Sequence, residues 1–138
     1  MIELDFIVRG NHEDPDGNPV PYTRTLSQAW TKAASRYKEW QEYVRAEFYR
    51  SCKMRGRDDM SGVPVTTSGM LELAKGQEVE VDIEVVWASG HHGDLDNILK
   101  GILDALFAQD KEVTEIHAVS SRGKKGRIAG RITITEKS

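Results

Sequence analysis

The residues best suited to chemistry lie in one stretch, Gly93-Asp94-Leu95-Asp96-Asn97-Ile98-Leu99-Lys100. Asp94 and Asp96 stand two apart where a loop leads into a helix. Two carboxylates brought together repel, and burying them unpaired is costly, so a cation is the usual reason for such a pair. An all-oxygen ligand set favours a hard ion such as Mg²⁺ or Mn²⁺. Lys100 follows Asp96 by four residues and so faces the same way one helical turn on. An ammonium there can neutralise a phosphate oxygen, or the charge that develops as a phosphodiester is hydrolysed. Asp104 lies a further turn along the same flank. A plainer reading competes: Asp is a common helix cap, and Asp96, Lys100 and Asp104 would also make a surface ion-pair ladder. A calcium loop of the EF-hand kind begins with the same Asp-x-Asp, but it requires Gly at the sixth position, where Leu99 stands.

Other reactive types are less well supported. His91 and His92 sit in a glycine-flanked loop just before the aspartates and are candidate general bases, although loop histidines are commonly incidental. His12 and His117 have weaker claims. The single cysteine, Cys52, has no partner for a disulfide or a zinc site, and it reads as a semi-buried small side chain rather than a nucleophile.

The elements that must position these groups follow from periodicity. Residues 1–9 alternate as a strand, and residues 10–21, rich in Asn, Asp, Gly and Pro, form a loop. Thr25 or Ser27 caps a helix running to about Cys52. Its stripe is Leu26, Trp30, Ala33, Tyr37, Trp40, Val44 and Phe48, stepping by three and four. The tryptophans on it read as core. Residues 53–77, broken by Gly and Pro, read as a flexible excursion and a candidate substrate flap. Residues 78–88 form the clearest strand. A second helix begins at Asp94 or Asp96 and ends near Ala108, with an apolar face wide enough to be buried against a sheet. Two strands follow, 113–121 and 126–135, joined as a hairpin with a basic tip. The expected fold is one α/β (α+β) domain over residues 1–138, a single mixed sheet with two main helices packed on it.

Composition narrows the function classes. The 138 residues suit one core, and 38% hydrophobic with 30% charged residues is the balance of a globular chain, not a disordered one. No apolar run reaches the length of a membrane span, and the N-terminus lacks the form of a signal peptide, so a cytoplasmic protein with no membrane contact is expected. The net charge is −3, but it is unevenly spread. Between Arg24 and Arg57 nine Lys/Arg stand against three Glu, and between Arg122 and Arg131 there are five Lys/Arg and no acid. Acids gather at residues 3–16, 78–84 and 94–115. Basic surfaces beside an acidic cluster suit a protein that holds a polyanion near a metal site, although a basic helix can also be merely a solvated face.

The run Asp94-Leu95-Asp96-Asn97-Ile98-Leu99-Lys100, followed by Leu103-Asp104-Ala105-Leu106, resembles the D-x-D-N-x-x-K-x-x-x-D-A-L signature of RusA-type Holliday junction resolvases. Gln109-Asp110-Lys111-Glu112-Val113 is similar to the acidic segment that leads into the family's next strand. The resemblance covers roughly residues 78 to 135, with a looser match at Pro21-Tyr22-Thr23-Arg24 and the basic helix after it. It departs from the pattern in two places. Gln109 stands where the first of two adjacent acids is expected, and the connection from Asp104 to Asp110 is shorter. Glu112, Glu115 and, more weakly, Glu84 are therefore reserve ligands.

The resemblance implies a homodimer with two metal-dependent sites, each cutting one strand of a four-way DNA junction. Asp94, Asp96 and Asp110 would be the metal-binding carboxylates, with Mg²⁺ or Mn²⁺, and Lys100 the essential lysine. No nucleotide cofactor is expected. DNA phosphates would be met by Arg24, Lys32 and Arg36 on the basic helix and by Arg122, Lys124, Lys125 and Arg127 at the basic tip. Three other readings stay open: a branched-DNA-binding protein that does not cut, a nuclease acting on flaps or nicked duplex, and an α/β protein whose aspartates only cap.

Overall fold

The computed structural model describes residues 2–20, 32–54, 66, 70–72, 76–88, 95–108 and 113–136. The elements in chain order are β1 (Ile2–Arg9), α1 (Lys32–Ser51), β2 (Lys53–Met54), β3 (Gln77–Ala88), α2 (Leu95–Leu106), β4 (Val113–Gly123) and β5 (Arg127–Glu136). Four long strands and the two-residue β2 form one mixed sheet in the order β2-β1-β5-β3-β4. The expected fold class is the observed one. Any cap at Thr25 or Ser27 lies outside the described residues.

Alternation decides which face of the sheet is covered. Leu4, Phe6 and Val8 of β1, Val79, Val81, Ile83 and Val85 of β3, and Ile128, Ile132 and Ile134 of β5 all point into one buried core. The helices supply the other side of it. In α1 the stripe residues Tyr37, Trp40, Val44 and Phe48 are all buried, and in α2 Ile98, Ile102, Leu103, Ala105 and Leu106 are. Phe6 and Phe48 meet edge to face, their centroids 5.1 Å apart. Gly130 makes room for this contact, because a Cβ there would lie 2.6 Å from Phe6 Cζ. The helices cross at Gly101, where a Cβ would stand 2.9 Å from Trp40 Cζ3 and 3.2 Å from the Tyr37 hydroxyl. The other face of the sheet is open and polar, as antiparallel-containing sheets allow.

The expected β4–β5 hairpin is not formed. β4 runs parallel to β3, whereas β5 is antiparallel to both β3 and β1, so β3 lies between the two strands. The short connection at Lys124 and Lys125 therefore passes over the C-terminal end of β3, where Ala88 neighbours Gly123 and Val86 neighbours Arg127. The physical reason is the crossover: α2 carries the chain back along β3, which delivers a parallel strand to its outer edge.

The stretch 53–77 is tied at several points. Lys53 and Met54 pair with Asp5 and Leu4. Leu71 is buried and clamps the end of α2, its N–H donating to the Leu106 carbonyl (2.6 Å) and its carbonyl accepting from Ala108 N–H (2.9 Å). Residues 55–65, 67–69 and 73–75 lie outside the described residues.

Candidate functional site

α2 is fixed by its inner face and presents its outer one. Arg45 of α1 donates from Nε to the Ala105 carbonyl (2.9 Å), which puts a cation at the C-terminal end of α2, where the helix dipole favours it. With that end clamped by Arg45 and Leu71, the first turn is held by packing of Leu95 and Ile98. Asp96 and Lys100 occupy the solvent side of α2 one turn apart, and Asp104 is half-buried a turn further on. These three are the parts of the aspartate-lysine constellation that can be described. Asp94 and Asp110 lie outside the described residues, as do His91, His92, Glu112 and Arg24.

The last residue of β3, from which the chain runs on to Asp94, is well anchored. Asn18 accepts from Ala88 N–H at the last residue of β3 (2.6 Å, to Oδ1). Asn18 is itself held by the buried Asn11, whose Nδ2 donates to the Asn18 carbonyl (2.7 Å). Asn11 Oδ1 accepts from the N–H groups of Glu13 and Asp14, and the Asn11 N–H donates to the Asp14 carbonyl (2.8 Å), so side chain and backbone close the turn together. Gly10 begins the loop at a φ of 61°, and its N–H donates to the Gly126 carbonyl (2.8 Å). One compact loop thus joins the β4–β5 connection to the end of β3.

That connection gathers positive charge. Arg9, Lys124, Lys125 and Arg127 line a groove of about 480 Å³. Two of these cations have acidic neighbours: Lys125 Nζ lies 3.6 Å from Asp16 and Arg127 Nη2 3.2 Å from Glu84. Both pairs are about half exposed or more and hold weakly. Arg122 is exposed on β4. On α1, Arg36 is bonded to Glu13 and thereby holds the Glu13 carboxyl below the usual range. Lys32 opens the described part of α1, and its side chain is outside the described residues. Arg9 is a basic residue that sequence reasoning missed, because its strand carries no other cation.

The reserve ligands fall elsewhere. Glu84 and Glu115 lie on the open face of the sheet, whereas α2 covers the opposite face; Glu84 meets Arg127, and Glu115 meets His117 (2.8 Å). On this open face the register aligns Asp5, Arg131, Asp82 and His117 across four strands. Glu80, Asp82 and His117 bring their ligand atoms within 4.8 Å of one another, a donor set able to take a divalent ion. The hydrogen bond that His117 Nε2 donates to the Glu115 carboxylate, then the charges of Glu115, Asp82 and Glu80, raise the His117 pKa. A protonated ring among these carboxylates is an alternative that balances their charge without an ion. No local pattern signals the cluster, since it depends on β3 and β4 running parallel.

Cys52 is half-buried, and burial first, with Asp5 second, pushes its thiol up to about 11. It carries too little thiolate near neutrality to act as a nucleophile.

No helix among the described residues is long and apolar enough to cross a membrane. No curated protein matches the chain. The profile of one family, endodeoxyribonuclease RusA, matches residues 15–135, a span that takes in β3, α2, β4 and the basic connection. With nearly the whole of its 138 residues so matched, the chain belongs to the endodeoxyribonuclease RusA family.

Proposed function

We propose that this protein resolves four-way DNA junctions by metal-dependent hydrolysis of phosphodiesters, as a cytoplasmic homodimer acting in recombination and repair. The observation that carries the reading is the presentation of Asp96 and Lys100, one turn apart, on the solvent side of a helix whose inner face is locked into the core. A capping aspartate would not require a lysine of this kind beside it within a nuclease-family chain.

Asp94, Asp96 and Asp110 would hold Mg²⁺ or Mn²⁺. Asp96 offers an exposed carboxylate at the first turn of α2, and hard ions take oxygen ligands. Lowering the pKa of a water and polarising the scissile phosphate is the chemistry that a bound ion supplies. Lys100 stabilises charge developing on phosphate or leaving oxygen. The clamp of Arg45 and Leu71 on α2 keeps Asp96 and Lys100 in register with the substrate, which is the positioning that makes such groups effective. Arg9, Arg122, Lys124, Lys125 and Arg127 grip phosphates, with Arg24, Lys32 and Arg36 on the α1 side. Such contacts carry affinity, and shape supplies the preference for a junction. No nucleotide cofactor enters this chemistry.

The test is cleavage of an end-labelled four-way junction beside a flap, a nicked duplex and a linear duplex, with Mg²⁺ or Mn²⁺ and with EDTA. Paired, symmetric cuts confined to the junction and lost with EDTA are expected. Preferential cutting of flaps or nicks would replace the substrate. Tight binding without cutting under either ion would leave a branched-DNA-binding protein.

A further inference from the structure

We propose that Glu80, Asp82 and His117 form a second metal site, which takes a borderline transition dication such as Zn²⁺ and pins the edge strand β4 to β3. The site lies on the open face of the sheet and uses none of the aspartates assigned to cutting; Asp96 and Lys100 are carried by the helix that covers the other face.

The parallel register sets Asp82 directly beside His117, and Glu80, two residues earlier on β3, shares that face. The ligand atoms of the three lie within 4.8 Å of one another. His117 Nε2 is 3.8 Å from Glu80 Oε1 and 2.8 Å from Glu115 Oε1, so this ring nitrogen already faces carboxylate oxygens. Donors around a tetrahedral ion at about 2 Å stand roughly 3.3 Å apart, so closure on an ion takes shifts of about 1.5 Å or less. Side chains that are half-buried or exposed can make such shifts. The backbone beneath them is fixed, since β3 is bonded to β4 on one side and to β5 on the other. Donors carried on paired strands are placed more precisely than donors on loops. Asp82 and His117 also line a shallow groove of about 480 Å³, which gives an ion its entry path.

The donor types select the ion. Carboxylates alone suit Mg²⁺, but an imidazole nitrogen beside two of them favours Zn²⁺, which takes N and O ligands together and binds four groups. Glu115 is at hand for the fourth position, or for holding a water there. Charge points the same way. Glu80, Asp82 and Glu115 put three carboxylates on one patch, and Arg131, the neighbour of Asp82 on β5, is bonded to Asp5 (2.7 Å). Asp82 itself makes no hydrogen bond or ion pair among the described residues. A proton on His117 offsets one of the three charges, and a dication offsets two. β4 gains most from such an ion. It bonds to β3 on one side only, and most of its side chains are exposed, so little packing holds it. An ion bridging β3 and β4 would tie down the strand that leads into the basic connection at Lys124 and Lys125.

The experiment is hydrogen exchange of the full chain without metal, with Zn²⁺ and with Mg²⁺, read at the β4 amides, with calorimetric titration of Zn²⁺ beside it. Where opening of β4 breaks the site, exchange slows by the factor 1 + [Zn²⁺]/Kd, about tenfold at about ten times Kd. The slowing is expected in the wild type and equally in Asp96→Asn, and Mg²⁺ should not reproduce it. His117→Gln and, separately, Asp82→Asn should lose it while keeping the wild-type circular dichroism. β4 exchange that ignores Zn²⁺, or slowing that persists in both of those variants, overturns the site. Slowing lost in Asp96→Asn but kept in His117→Gln assigns the ion to the cutting site and overturns the proposal too. Equal slowing by Mg²⁺ overturns the class of ion. None of these outcomes depends on junction cleavage, so a failure here and a failure of the nuclease reading are told apart.

Discussion

At the scale of single residues, groups that look alike in sequence do different work. Lys100→Ala should lower the rate of junction cleavage about 10²–10³-fold, the cost of losing one donor to developing charge, while junction affinity changes little. Single-turnover kinetics at saturating protein separate the two effects. His117 titrates instead of reacting. Its pKa is raised by Glu115, Asp82 and Glu80, so the folded state binds the proton more tightly than the unfolded one. The resulting stability is fully present below the free value of 6.5 and is lost as pH rises through the raised value. His117→Gln should therefore lower the melting temperature below the free value of 6.5, and the difference from the wild type should shrink as pH rises through the raised value. The Asp96–Lys100 pair was legible because a helix fixes the angle between positions four apart. His117 was not, since its partners Glu80 and Asp82 reach it only through a parallel register that local sequence does not encode.

At the scale of elements, two positions hold α2 and the loop before it. Gly101→Ala gains about 1 kcal/mol of helix propensity but drives a methyl into Trp40 and Tyr37, and overpacking of a filled core costs about 1–3 kcal/mol, so a net loss of stability is expected. Chemical denaturation measures it. Asn18→Ala removes the bond to Ala88 and should cost about 0.5–1.5 kcal/mol, with a proportionally larger fall in cleavage because the segment bearing Asp94 starts there. The stripe of α1 and the alternation of β1, β3 and β5 were readable because burial repeats with the period of each element. The pairing of β4 was misread. Two strands joined by a short basic turn look like a hairpin whether or not a third strand lies between them, and only the crossover through α2 decides that. Likewise β2 is too short for periodicity to mark, and Leu71 lies in a run, Met70-Leu71-Glu72-Leu73-Ala74, too short to tell a helical turn from a strand.

At the scale of the whole molecule, a net charge of −3 hides a division of labour: one end of the sheet is basic and its open face carries a row of carboxylates. Lys124→Ala/Lys125→Ala should weaken binding to junction and duplex alike and reduce the slope of log affinity against log salt by about 2, as expected for two lost phosphate contacts. Fluorescence titration across a salt series reads this directly. The central claim is that the carboxylate on the exposed side of α2 belongs to the cutting machinery. It is tested most directly by comparing the wild type with Asp96→Asn on one labelled four-way junction, measuring binding and Mg²⁺-dependent cleavage in the same samples. Unchanged junction affinity with cleavage abolished is expected. An Asp96→Asn protein that folds, binds and still cuts at the wild-type rate would contradict it and reduce Asp96 to a helix cap.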